Sequence, residues 1–159
     1  PADRRPRRLA IEPGRFVVAR AGWLVGRVLH VRDRGGRQIV LDTGMTELIR
    51  PALYGARHGI VALTSRGRRV VPGDAGGSAL PRAAAQPCAV HGPICESTDD
   101  LGAHDLPPLR RGDLVALRDA GAYAASLSST YNGRPRPPQV ILGVDGQLVL
   151  ARRRGGVRP

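Results

Sequence analysis

Apolar residues come in short runs along this chain, broken by turn chemistry, and the runs never settle into a helical period. Residues 22–32, rich in Trp, Leu and Val, read as a strand. Asp33-Arg34-Gly35-Gly36 is a turn, and Gln38 to Leu41 returns as a second strand, which predicts a hairpin. Thr43-Gly44-Met45 ends it. Thr46 to Tyr54, with Pro51 inside, predicts a short helical turn rather than a full helix. His58 to Thr64 is a further apolar strand.

Residues 65–85 hold Arg, Gly, Pro and Ala with little pattern and read as an exposed, partly mobile excursion. The run Cys88-Ala89-Val90 then leads as a strand into Gly92-Pro93. Asp99 to Leu109 reads as a polar loop, and Leu114 to Leu117 as a strand after the Gly112-Asp113 turn. Asp119-Ala120-Gly121-Ala122-Tyr123 is a small-residue corner where backbone can approach a ligand closely. Ser126 to Asn132 is polar, and Arg134-Pro135-Arg136-Pro137-Pro138 is extended. Gln139 to Leu142 and Gln147 to Ala151 predict a last hairpin across Asp145-Gly146. The count, about seven short strands with turns between them, predicts an all-β sandwich or barrel. No internal repeat is visible.

Composition narrows this picture. At 159 residues the chain suits one domain with a modest core. Aromatic residues make up only 3%, so Val, Leu, Ile and Ala must build that core. No apolar run reaches membrane-spanning length and no export pattern opens the chain, which sets a cytoplasmic expectation. Two cysteines do not make a disulfide scaffold, and the four scattered histidines give no metal-ligand spacing. The formal charge is +12 and every basic residue is arginine. Such a balance raises nucleic-acid binding. Yet the arginines cluster at the termini and in loops without interleaved aromatics, so no stacking platform is predicted.

The candidate chemistry centres on Gly92-Pro93-Ile94-Cys95-Glu96-Ser97, which sets a thiol beside a carboxylate at a strand tip. A free cysteine there can donate a proton, and the glutamate can bind a cation. Read alone, the plainer account is a buried, inert cysteine and a solvated glutamate.

Five stretches change that weighing. Glu12-Pro13-Gly14-Arg15, then Met45 with Leu48 to Tyr54, then Gly92 to Ser97, then Asp119 to Tyr123, then Ser128 to Pro137 follow one another in order. Together they resemble the C-terminal part of diaminopimelate decarboxylase, a pyridoxal-phosphate enzyme of the alanine racemase-like class. The resemblance covers nearly all the chain from Ile11 onward. It implies a TIM-like barrel holding the cofactor lysine, a C-terminal β domain, and a homodimer with active sites shared across the interface. Residues 1–19 would then be the end of the barrel and a connector, and residues 20–155 the β domain. The chain has no lysine, so it cannot by itself hold pyridoxal phosphate through one.

The same resemblance implies roles. Cys95 would be the proton donor, reaching toward the partner subunit's cofactor. Glu12, Gly14, Arg15 and Tyr123 would line the cofactor. Arg15, Arg50, Tyr54, Glu96 and Tyr123 would meet the substrate, with the arginines on its carboxylate and Glu96 on its distal ammonium. Without that context Glu12 to Arg15 is a Pro-Gly turn with a surface arginine, Arg50 a solvated charge, and Tyr54 and Tyr123 packing residues. His58, Tyr131 and Asn132 also fit the pattern and are read as structural. The implied reaction converts meso-diaminopimelate to lysine and carbon dioxide. Thr98 stands where many members have glycine, which leaves open a related decarboxylase for another amino acid or a carrier-tethered substrate. An inactive remnant and an arginine-rich nucleic-acid-binding β domain are the other readings.

Overall fold

The computed structural model describes residues 8–72, 80–82 and 84–156. Ten strands form among the described residues, in chain order: β1 (Leu24–Asp33), β2 (Arg37–Leu41), β3 (Ile60–Leu63), β4 (Val70–Pro72), β5 (Leu80–Arg82), β6 (Gln86–His91), β7 (Asp100–Leu106), β8 (Leu114–Leu117), β9 (Gln139–Leu142) and β10 (Leu148–Arg152). Among these residues helix is confined to single turns: α1 (Arg15–Val18), α2 (Arg50–Tyr54), α3 (Ala124–Leu127) and two 3-10 turns. The all-β expectation holds.

Six strands make one sheet in the order β3-β8-β1-β2-β6-β7. The long β1 spans it, pairing with β8 through its first half and with β2 through its second. A register shift between Val28 and His30 separates the halves and bends the strand there. The edge strands β3 and β7 come into contact, and Arg57, after α2, donates to the Ala103 carbonyl in β7 at 2.8 Å. The sheet therefore curls into half a barrel. Its core holds Val28, Ile39, Leu41, Leu48, Val90, Val115 and Leu117, all essentially without solvent contact. Each contributes about 1.5–3 kcal/mol by leaving water, which compensates for the missing aromatics.

Both predicted hairpins form. β1 turns into β2 through Gly35 and Gly36, whose φ of 65° and 118° only glycine adopts freely. β9 and β10 pair across Asp145-Gly146, closed by Gly143 N–H donating to the Gln147 carbonyl at 2.8 Å. The helical turn at Arg50 also forms, with Pro51 in its first turn and Gly55 closing it in the left-handed region.

Two expectations fail. The polar loop expected at Asp99 to Leu109 is largely strand β7, antiparallel to β6. Leu101 and Leu106 are buried, and long-range pairing with an apolar neighbour overrides the polar composition between them. The excursion at 65–85 is not wholly exposed: Val70 enters the core, and β4 pairs with β5 in parallel. The rest of that expectation falls partly on 73–79 and 83, outside the described residues.

Candidate functional site

β6 ends at His91, and the loop it delivers is closed at its base by Asp99. The Asp99 carboxylate is buried and accepts from Met45 N–H at 2.6 Å and Ile94 N–H at 2.8 Å. Gly92 N–H donates to the Asp99 carbonyl at 2.9 Å. Gly44 and Gly92 make room for this carboxylate, since a Cβ on either would stand about 2 Å from its oxygen. With its base fixed, the loop tip projects. Cys95 is exposed and unpaired, and Glu96 is exposed beside it. The plainer account of a buried Cys95 is thereby removed. A shallow depression of about 440 Å³ opens at the loop, lined by Arg32, Gln38, His91, Cys95 and Glu96 among others.

Glu96 is held through Oε1. The Tyr131 hydroxyl donates to Oε1, and the Thr98 hydroxyl lies 3.5 Å from Oε2. The hydrogen bond to Glu96, and then that carboxylate's charge, push the Tyr131 phenol above its ordinary pKa.

A second cluster forms at another corner of the fold, where α1 and α2 meet the turn at Asp119 to Tyr123. Arg50 lies between two rings, with its guanidinium carbon 5.4 Å from the Tyr54 centroid and 5.8 Å from the Tyr123 centroid. Arg50 and Tyr54 are four residues apart on α2, which sets them on one face as expected. Tyr123 sits in the left-handed region at φ 67°. A non-glycine residue held there costs about 1–3 kcal/mol and marks a position fixed by its surroundings. The corner is clamped: Gly121 N–H donates to the Ala19 carbonyl and Ala120 N–H to the Gly22 carbonyl, both at 2.9 Å. A Cβ on Gly121 would stand 1.9 Å from the Val18 carbonyl oxygen, so this approach requires glycine. Gly14 completes the cluster, because a Cβ there would come within 3.2 Å of the Tyr123 hydroxyl. Arg15 follows it, while Glu12 lies exposed. Nε of Arg15 and of Arg50 is buried and meets no hydrogen-bond partner among the described residues. The Arg50 guanidinium and the two phenols beside it are hydrogen-bond donors that suit a carboxylate or phosphate.

The fold therefore groups Gly14, Arg50, Tyr54 and Tyr123, and separately groups Cys95 with Glu96. Among the described residues no hydrogen bond, ion pair or ring contact joins the two groups.

The sheet domain of one enzyme family matches residues 15–121: the pyridoxal-dependent decarboxylase, C-terminal sheet domain. The chain belongs to this family. Diaminopimelate decarboxylase of Escherichia coli is 42% identical over 158 residues, covering 94% of this chain and 35% of the relative. The Streptomyces coelicolor enzyme of the same name is 43% identical over 160 residues, covering 94% and 33%. The crystal structure of diaminopimelate decarboxylase from Helicobacter pylori complexed with L-lysine aligns with a TM-score of 0.75 at 34% identity, covering 92% of this chain and 32% of that one. The chain thus spans about a third of the length of these decarboxylases.

Within this decarboxylase domain, His58 packs against the strand β8 end rather than joining either group. It is buried, and its Nδ1–H donates to the Arg118 carbonyl at 2.8 Å. Sequence reasoning missed two contributors. Asp99 was read only as part of a loop, and Tyr131 only as framework. Their signals are the Ser97-Thr98-Asp99 and Tyr131-Asn132-Gly133 runs, which carry turn chemistry but no sign of what each side chain reaches.

Proposed function

We propose that this domain is the β-domain wall of a pyridoxal-phosphate-dependent decarboxylase that converts meso-diaminopimelate to lysine and carbon dioxide. The single observation that carries this reading is the projection of an exposed thiol and carboxylate, Cys95-Glu96, from a fastened loop, apart from the Arg50 guanidinium held between Tyr54 and Tyr123. The substrate has a carboxylate and an ammonium at each end, and those two sites match its distal pair. The relatives named diaminopimelate decarboxylase support the same substrate.

Arg15 and Arg50 bind the substrate's distal carboxylate, with Arg50 oriented between Tyr54 and Tyr123. Glu96 accepts the distal ammonium, so a simple diamine precursor lacking that carboxylate loses the arginine contacts. Cys95 delivers the proton to the substrate carbon that carbon dioxide has left. The bound cofactor supplies an electron sink for that carbon. Gly14 and Tyr123 form the cradle on this domain that suits its edge, with Glu12 and Arg15 beside it.

Residues 1–19 belong with the barrel and its connector, and 20–155 form the β domain. The exposed Leu9, Ile11, Phe16, Val17 and Val18, and the uncovered β9–β10 hairpin with Ile141, Leu142 and Val149, support a larger assembly that covers them. The absence of contact between the two clusters fits a homodimer in which Cys95 and Glu96 serve the partner's site. Two unpaired cysteines suit the reducing cytoplasm. No helix among the described residues is long and apolar enough to cross a membrane.

The test uses the full-length protein with added pyridoxal phosphate. It should release carbon dioxide from meso-diaminopimelate, and Cys95→Ala should lower kcat by about 10²–10⁴-fold. Glu96→Ala should reduce preference for diaminopimelate over amino acids without a distal ammonium. Normal turnover by Cys95→Ala would remove the proton-donor role.

A further inference from the structure

We infer that Tyr131 is a positioning residue that sets the carboxylate of Glu96 for recognition of the substrate's distal ammonium. This rests on the decarboxylase reading and adds to it a residue otherwise assigned to the framework.

Glu96 stands exposed at a loop tip, where a glutamate side chain ordinarily samples many rotamers. Here the Tyr131 hydroxyl donates to Oε1, across a separation of 35 residues. That leaves Oε2 to face a cation. Thr98 adds a hydroxyl at 3.5 Å from Oε2, but the same hydroxyl also lies 3.7 Å from Met45 Sδ. Both distances are at the outer limit, so Tyr131 carries the orientation.

The tyrosine is itself held. Asn132, at φ 55°, turns the chain sharply just after it. Tyr131 N–H donates to Ser129 Oγ at 3.3 Å, and Ser129 N–H donates to the Thr46 carbonyl at 2.9 Å. On the other side Arg134 donates to the Asp42 carbonyl and lies 3.7 Å from Glu47 Oε1. Glu47 is buried and accepts from Gly44 N–H at 2.8 Å and Thr43 Oγ1 at 3.2 Å. The Glu96 loop is fastened to the same segment through Asp99 and Met45 N–H. Both ends of the Tyr131–Glu96 hydrogen bond are therefore built on residues 42–47. The geometry is preorganised, and a ligand ammonium need not order the carboxylate. The raised phenol pKa keeps the donor proton in place across the working range.

The experiment measures binding of lysine and of norleucine, which lacks the distal amine, to the full-length protein loaded with pyridoxal phosphate. Tyr131→Phe should weaken lysine by about tenfold, the scale of one hydrogen bond to a charged group. Norleucine should change by less than about twofold if the aromatic packing is intact. Glu96→Gln should show the same lysine-specific loss, and adding Tyr131→Phe to it should add little. Equal weakening of both ligands would make Tyr131 a merely structural residue and overturn the inference. So would unchanged lysine binding in Tyr131→Phe while the unsubstituted protein prefers lysine. If the unsubstituted protein does not prefer lysine, the decarboxylase reading falls and this role falls with it.

Discussion

Cys88 and Cys95 lie on one run of chain, the first inside β6 and the second at the tip of the loop β6 delivers. Cys88 is flanked by Arg37 on the parallel strand β2 and by His104 on β7, and only 2% of it meets solvent. Burial is the leading cause that pushes its thiol above the ordinary range. Cys95 stands exposed beside an exposed carboxylate. The residue type is the same, so position alone separates an inert packing atom from a candidate proton donor. The sheet does not itself hold the exposed thiol. It ends under it, and Asp99 fastens the base of the loop that carries the thiol beyond the strand.

The strongest way to break that contrast is to remove the fastening. Asp99→Ala leaves the Met45 and Ile94 N–H groups without their acceptor. Donors left unpaired cost about 1–3 kcal/mol each when buried, so a loss of about 2–6 kcal/mol is expected for the two. The thermal midpoint of the full-length protein should fall, and decarboxylation should fall further than stability explains, because Cys95 and Glu96 lose their shared base. If Asp99→Ala melts normally and turns over normally, the loop is held by something else.

The intermediate test sharpens the contrast without altering it. A thiol reagent added to the native full-length protein should modify Cys95 at least about 100-fold faster than Cys88, which must wait for local opening. Lysine should slow modification of Cys95 and leave Cys88 unaffected. Peptide mapping by mass spectrometry distinguishes the two. Equal rates would show that β6 opens as readily as the loop.

Part of this architecture is legible in the amino-acid sequence. Patterns carried by neighbouring residues were legible. The β1–β2 and β9–β10 hairpins follow from their turns, and the Arg50–Tyr54 pairing follows from one helical turn. The delivery of Cys95 and Glu96 at a strand end was legible for the same reason. What escaped depends on residues far apart. β7 is strand because β6 pairs with it, not because Asp100-Leu101-Gly102-Ala103-His104 alternates well. The parallel pairing of β2 with β6 leaves no local trace. Asp99 acts on Met45, and Tyr131 on Glu96, across gaps that no sequence period spans.

The smallest expected effect concerns pH and the buried thiol. The folded-state pKa of Cys88 is raised, chiefly by burial, so the folded protein holds this proton more tightly than the unfolded chain does. Its contribution to stability is fully present below the unfolded thiol pKa, about 8.5. It is lost as pH rises through the higher folded value, because the thiolate forms more readily in the unfolded chain. The thermal midpoint of the full-length protein should therefore decline above about pH 8.5, and Cys88→Ala should flatten part of that decline. An identical slope in Cys88→Ala and the unsubstituted protein would assign the alkaline loss to other groups and leave Cys88 distinguished from Cys95 by access alone.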